Sequence, residues 1–183
     1  RADKKKARTL SNERTGTNIE AEGASKSKGN PLNRSRHIVL LAMNQEGLNN
    51  IYKMVSESYN GDYFYRKPRI DYALLNKYNS GVICLSACLG GVYAGNYWAH
   101  REEGEEAVLQ AMRETTRRMV SILGDRWYGE LQWNGVPEQH DLNQYIIKIA
   151  AETGIKLVST CDSHYPTPVA WNDRELYKRL GWL

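Results

Sequence analysis

Residues 155–165, IKLVSTCDSHY, join an apolar run directly to an aspartate and a histidine two positions apart. The run IKLVST is short, contains several apolar and β-branched residues and follows Gly154, so it predicts a buried β-strand. Asp162 and His164 come directly after that strand. Burying such a pair is costly unless a metal ion or hydrogen bonds compensate the charge. The remaining elements indicate which other side chains share this position.

Three earlier runs also predict buried strands: HIVLLAM (37–43), GVICLSA (81–87) and RWYGELQ (126–132). The segments between the runs have apolar residues at helical spacing. The predicted helices cover 44–59 with Asn44 as cap, a short segment capped by Asp71, a long segment after Glu103 that ends at Gly124, and Pro137 to Gly154. Strands that alternate with helices predict an α/β fold of parallel βα units, in an open sheet or a barrel.

In both architectures the loops at the carboxyl ends of the strands carry the chemistry. Asp162 and His164 follow the fourth predicted strand, and Cys88 follows the second. Asp, His and Cys are all metal ligands, and Cys with His suits zinc or a similar ion. On an extended segment, Asp162 and His164 would point to the same side. The alternatives stay open, because Asp-x-His alone is a weak motif and a single cysteine is more often a small buried apolar residue.

Composition limits the class of protein. The chain has 183 residues, of which 41% are hydrophobic and 25% charged, so it is large enough for one domain with a core. No apolar run approaches the ~20 residues of a membrane span, which predicts no membrane partner. Three cysteines without regular disulfide spacing favour a reducing, cytoplasmic compartment.

The positive charge lies at the beginning of the chain. Residues 1–36 hold ten Lys or Arg against four Asp or Glu, and the remaining residues hold fifteen against seventeen. We predict that residues 1–35 form a basic, flexible segment or an extended insertion, because they contain few large apolar residues. Such a segment either binds phosphate backbones or is a solvated linker.

Longer stretches of the chain are similar to a known family. These stretches are RHIVLLAMNQEGLNNIYKMVSESY (36–59), FYRKPRIDYALLNKYNSGVICLSACLGG (64–91) and GDRWYGELQWNGVPEQHDLNQYIIKIAAETGIKLVSTCDSHY (124–165). They closely resemble the second part of the PHP (polymerase and histidinol phosphatase) domain that begins bacterial replicative DNA polymerase III alpha subunits. The resemblance covers residues 36–170. Residues 171–183 resemble a phage-type form of the segment that leads to the polymerase core.

The resemblance implies part of a distorted (βα)7 barrel with up to three metal ions at one rim. Matched residue by residue, the implied ligands are His37, Cys88, Asp162 and His164, and the ions are divalent zinc, manganese or iron. The strand assignment places His37 at the start of its strand, whereas the other three follow strand ends. The family's opening His-x-His ligands are not visible in residues 1–36, so the chain is expected to begin part-way through the domain and to be inactive alone.

The resemblance also implies the function. It implies a part of a DNA replication enzyme, with metal-assisted phosphoester hydrolysis such as 3′–5′ proofreading. Arg66, Lys67 and Arg69 either contact DNA phosphates or form a solvated loop. The alternative function is a non-catalytic scaffold that packs on the rest of the polymerase chain and docks an exonuclease subunit, with a sliding clamp as a further partner. A histidinol-phosphate-type phosphatase is a weaker third candidate.

Overall fold

The computed structural model describes residues 35–65 and 67–181. Its strands are β1 (Val39–Ala42), β2 (Phe64–Tyr65), β3 (Lys67–Pro68), β4 (Val82–Leu85), β5 (Trp127–Gln132) and β6 (Lys156–Thr160). Strands β1, β4, β5 and β6 form one sheet in the order β1-β4-β5-β6, and β2 pairs with β3 in a separate hairpin. Apart from Ser35, the predicted flexible segment 1–35 lies outside the described residues, and so does Arg66.

The helices of the described part cover the following ranges: α1 (Gln45–Ser58), α2 (Tyr72–Lys77), α3 (Val92–His100), α4 (Glu105–Leu123), α5 (Pro137–Thr153) and α6 (Trp171–Gly181). Four of them, α1, α2, α4 and α5, were predicted from the sequence. The pattern did not indicate α3, because five successive residues from Tyr93 to Tyr97 are all buried, and a helix buried all round has no amphipathic period. None of the helices in these ranges is long and apolar enough to cross a membrane.

Strand direction differs from the prediction at one position. Strands β4, β5 and β6 are parallel to one another, as predicted. Strand β1 runs antiparallel to β4, with Val39 opposite Leu85, so the prediction of parallel βα units is wrong for β1. An apolar run has the same pattern in either direction, and two helices and a hairpin separate β1 from β4. The described residues form a mixed α/β fold with four strands in the main sheet, and they do not close a (βα)7 barrel.

Exposure follows position in the sheet. The central strands β4 and β5 are mostly buried. The edge strands β1 and β6 were predicted to be buried, but Leu41 is 48% exposed and Leu157 is 40% exposed. Among the described residues each edge strand has a neighbour on one side only, which the apolar runs alone could not show.

A buried hydrogen-bonded chain connects the sheet to two helices. The indole Nε1 of Trp127 on β5 donates to the hydroxyl of Tyr93 on α3 at 3.0 Å. The Tyr93 hydroxyl lies 2.6 Å from Thr116 Oγ1 on α4, and the Tyr93 and Trp127 rings meet edge-on at 5.5 Å. Burial raises the pKa of Tyr93 to about 12. These contacts join β5 to α3 and α4.

Helix α1 packs on the turn before β4 through two glycines. Asn44 Oδ1 accepts from the Gly47 N–H at 2.9 Å and caps the helix, as predicted. A Cβ at Gly47 would lie 1.8 Å from the carbonyl oxygen of Gly81. The Met43 N–H donates to that same oxygen at 2.8 Å, which holds the turn against β1. Only glycine at position 47 allows this approach.

We expect Gly47→Ala to lower the free energy of unfolding by roughly 1–3 kcal/mol, because the added methyl group must displace backbone. Gly135→Ala is the matched control, since a Cβ there has no neighbouring atom within 4 Å. Urea denaturation monitored by circular dichroism measures both. Equal midpoints for the two variants would contradict the close packing of α1 on Gly81.

Candidate functional site

His37 and Cys88 lie together where the start of β1 meets the loop after β4. Because β1 is antiparallel to β4, the start of β1 meets the loop that follows β4. The His37 N–H donates to the carbonyl of Gly90 at 2.9 Å, and His37 Nδ1 lies 3.9 Å from Cys88 Sγ. The antiparallel direction therefore brings His37, at the start of its strand, to a residue that follows a strand end.

The loop that presents Cys88 is tightly wound. Ala87 is buried and has a φ of 62°, in the left-handed region that non-glycine residues rarely occupy. A Cβ at Gly91 would lie 2.1 Å from the carbonyl of Ser86. The Gly90 N–H approaches Cys88 Sγ at 3.4 Å. These constraints hold the half-buried Cys88 thiol beside His37.

Asp162 and His164 form a second pair, in the exposed loop after β6. Asp162 has a φ of 49°, so the segment is not extended, and the predicted same-side arrangement on an extended segment is wrong. Instead, His164 Nδ1 lies 2.6 Å from the backbone carbonyl of Asp162. A carbonyl only accepts, so Nδ1 carries the proton and Nε2 is the nitrogen that can bind a ligand.

A buried carboxylate that was not predicted from the sequence, Glu130, lies beside both loops. Glu130 on β5 is 3% exposed. Its Oε2 accepts from the Ala87 N–H at 3.0 Å, and its Oε1 accepts from Gln132 Nε2 at 3.0 Å and from Thr160 Oγ1 at 2.5 Å. None of the ion pairs among the described side chains involves Glu130. The available signal was an acidic residue inside the otherwise apolar strand RWYGELQ.

The spacing of His37 and Cys88 fits two ligands of one metal ion. Two ligands of one tetrahedral zinc ion, at ~2.3 Å for sulfur and ~2.0 Å for nitrogen, lie about 3.5 Å apart, close to the spacing of His37 and Cys88. The second pair offers His164 Nε2 and the Asp162 carboxylate. The described residues contain no group of three His, Cys, Asp or Glu side chains that could hold an ion, so the four predicted ligands are not preassembled.

A cavity of about 460 Å³ adjoins His37. Four basic residues line it: Arg36, Lys67, Arg69 and Arg118. Asp71 is the acidic residue in the lining, and its Oδ1 accepts from the Leu74 N–H at 2.7 Å to cap α2. The structure therefore brings two of the three predicted DNA-contact residues, Lys67 and Arg69, to one cationic cavity. The third, Arg66, is outside the described part of the chain.

The sequence of this chain matches a known protein family and several named relatives. Residues 6–134 match the PHP domain family. Over 134 residues, 73% of this chain, it is 40% identical to "DNA polymerase III subunit alpha" of Aquifex aeolicus. It is 37% identical over 132 residues to the protein of that name from Borreliella burgdorferi, and 37% identical over 129 residues to that of Deinococcus radiodurans. The matched regions cover 11%, 11% and 9% of these three relatives.

The three cysteines occupy different environments. Cys84 is fully buried in β4, Cys88 is half-buried and Cys161 is exposed. Burial raises the pKa of the Cys84 thiol, and the charge of Glu130 adds to the effect. The thiolate is the reactive form, so Cys84 is the least reactive of the three at neutral pH.

We expect iodoacetamide to modify Cys161 first, Cys88 more slowly, and Cys84 only after the chain is unfolded. Mass spectrometry of peptides after timed labelling at neutral pH gives the order. Cys161→Ser is the control that assigns the fast phase. Labelling of Cys84 in the native chain at the rate of Cys161 would contradict the described burial.

Proposed function

This chain belongs to the PHP domain family, and from that premise we propose that it is the PHP portion of a replicative DNA polymerase III alpha subunit. We infer that its strand-end residues bind divalent metal for phosphoester hydrolysis, such as 3′–5′ removal of a mismatched primer end. The main support is the proximity of His37 to Cys88, which follows the carboxyl end of β4; β6, parallel to β4, ends on the same side of the sheet. Imidazole and thiol donors at that spacing are suited to metal binding.

Each donor has a distinct role in this proposal. His37 and Cys88 supply one pair of ligands, and His164 Nε2 with the Asp162 carboxylate supplies the other. These side chains act as ligands and not as general bases. Zinc, manganese or iron held there would polarise a phosphoryl oxygen and supply a nucleophilic water near neutral pH. The hydrogen bond from His164 Nδ1 to the Asp162 carbonyl fixes the ring orientation that this role requires.

The cationic cavity supports a contact with nucleic acid. Its four basic residues and His37 line the same cavity, so a phosphate backbone held there would lie near one of the candidate ligands. Lys67 is exposed at the rim, where it can reach a phosphate without burial. Contacts of this kind are electrostatic and independent of base sequence, and they weaken as salt rises.

The second candidate function is a scaffold that packs on the rest of a polymerase chain and docks an exonuclease subunit or a sliding clamp. Two observations favour it. The described residues lack a group of three potential ligands. Helix α6 exposes large apolar side chains, with Leu176 at 61%, Tyr177 at 78% and Leu180 at 66%. A helix with such a face is suited to packing against another surface. In either role we propose a cytoplasmic location.

The metal proposal predicts that purified protein contains zinc, manganese or iron and that Cys88→Ser lowers the content. Cys161→Ser is the matched control, because Cys161 is exposed and belongs to neither pair. Inductively coupled plasma mass spectrometry measures the metal content. A wild-type content below about 0.2 equivalents without chelators would contradict metal binding, given the affinity of structured sites.

An exonuclease assay distinguishes the catalytic function from the scaffold function. It measures nucleotide release from a mismatched primer 3′ end, on the native polypeptide that contains this chain. We expect Asp162→Asn to lower the rate at least about 10-fold, because an amide is a weaker metal ligand than a carboxylate. Asp125→Asn, an exposed change whose parent carboxylate pairs with Lys156, is the control. Equal rates for wild type and Asp162→Asn would leave only the scaffold.

The nucleic-acid proposal predicts that Lys67→Ala weakens binding of primer–template DNA uniformly across sequences. It also predicts that the slope of log affinity against log salt concentration falls by about one, the value for one lost phosphate contact. Lys53→Ala, on the exposed surface of α1, is the control. Fluorescence anisotropy over a salt series measures both. An unchanged slope for Lys67→Ala would contradict a phosphate contact there.

A further inference from the structure

Glu130 contacts the backbone or side chains that precede both candidate ligand pairs. Strand β5 lies between β4 and β6, and Glu130 is near its carboxyl end. Glu130 Oε2 accepts from the N–H of Ala87, which is the residue before Cys88. Glu130 Oε1 accepts from the hydroxyl of Thr160, which lies two residues before Asp162. One carboxylate therefore connects the ends of two strands that are not themselves paired.

The connection spans the full width of the middle strand. Strands that flank a common neighbour lie about 9–10 Å apart in a regular sheet. Here Ala87 N and Thr160 Oγ1 are both within hydrogen-bond distance of the same carboxylate, at 3.0 Å and 2.5 Å. The Glu130 carboxylate thus bridges Ala87 and Thr160 across β5, on the side where the two ligand loops begin.

The energetics favour a functional reason for this carboxylate. Glu130 is buried, and the ion pairs among the described residues give it no cation. A buried charge of this kind is costly even when hydrogen-bonded. Its bond to the Ala87 N–H is charge-assisted and stabilises a left-handed backbone that alanine otherwise disfavours. A cation bound between the nearby loops would offset the remaining charge.

We propose that Glu130 is a positioning residue that ties the start of the Cys88 loop to the end of β6, and so fixes the two candidate ligand pairs relative to each other. The inference rests on the proposed metal function and assigns to that site a residue outside its ligand set. Glu130 acts through the backbone at Ala87 and the side chain of Thr160. It is not itself a ligand.

Two substitutions separate its contacts. Glu130→Gln keeps the shape but replaces one acceptor oxygen with an amino group, so the side chain cannot accept from both Ala87 and Thr160. Thr160→Val removes only the link to β6 and leaves the bond to the Ala87 N–H. Glu105→Gln is the matched control, because Glu105 is exposed and its carboxylate pairs with Lys148 on the helical side.

The experiment titrates the full chain with Co²⁺ and follows two absorption signals. All proteins carry Cys161→Ser, so that the near-ultraviolet thiolate-to-cobalt band reports Cys88 and not the exposed Cys161, and the visible d–d bands report the coordination geometry. We expect Glu130→Gln to weaken cobalt affinity roughly 10–100-fold, as is typical for loss of a supporting hydrogen bond. Thr160→Val weakens affinity less and alters the visible bands, while the thiolate band at saturation is retained. Glu105→Gln binds as wild type does.

The outcomes are distinguishable. If wild type binds cobalt and both Glu130→Gln and Thr160→Val bind it with unchanged affinity and unchanged visible bands, the positioning role is overturned and the metal function stands. If wild type shows no cobalt bands, the metal function fails, and the inference fails with it. A purely structural Glu130 would lower the melting temperature without changing the spectrum of the folded, saturated protein. If Glu130→Gln does not fold, Thr160→Val alone decides, because it leaves the carboxylate in place.

Discussion

The antiparallel pairing of β1 with β4 determines which side chains meet at the candidate site. With Val39 opposite Leu85, the residues just before β1 lie beside the residues just after β4. His37 therefore contacts the loop of Cys88. In a parallel pairing the start of β1 would lie beside the start of β4, about 14 Å away along a four-residue strand. The direction of one short strand thus decides whether the imidazole and the thiol can act together.

The sequence predicted the elements better than their arrangement. The apolar runs indicated the four strands of the main sheet, and the caps Asn44 and Asp71 marked helix starts that the structure confirms. Strand direction could not be predicted, because hydrogen-bond partners depend on residues distant in the chain. Helix α3 was missed since its residues are buried on every side. Cys88, Asp162 and His164 were candidates from their positions after predicted strands, and His37 was added by a resemblance. Glu130 was missed because only tertiary packing shows that an acidic strand residue is buried.

Local features that lower stability lie together near the carboxyl ends of β4, β5 and β6. Ala87 and Asp162 are the non-glycine residues with positive φ among those described, and each lies next to or within a ligand pair. Glu130, a buried carboxylate, lies between the two loops. Left-handed backbone and buried charge both lower stability, so they persist where the surrounding structure constrains them. Their clustering distinguishes these strand ends from the apolar packing around Trp127, where every polar group of the Trp127–Tyr93–Thr116 chain has a partner.

The position of the two pairs explains why the four donors do not form one group. His37 lies at the β1 edge of the sheet and Asp162 follows β6 at the opposite edge. Three inter-strand steps of about 4.8 Å separate these edges if the sheet is flat, which exceeds the span of one coordination sphere. The four donors can therefore converge only if the sheet curls toward the side of Glu130. Sheets curl in this way when their strands close into a barrel. The exposed apolar residues of the edge strands, Leu41 and Leu157, are consistent with sheet edges that take further partners. Glu130 already links Ala87 and Thr160, at the ends of β4 and β6, by hydrogen bonds, so a curl of the sheet on that side would carry both ligand loops with it.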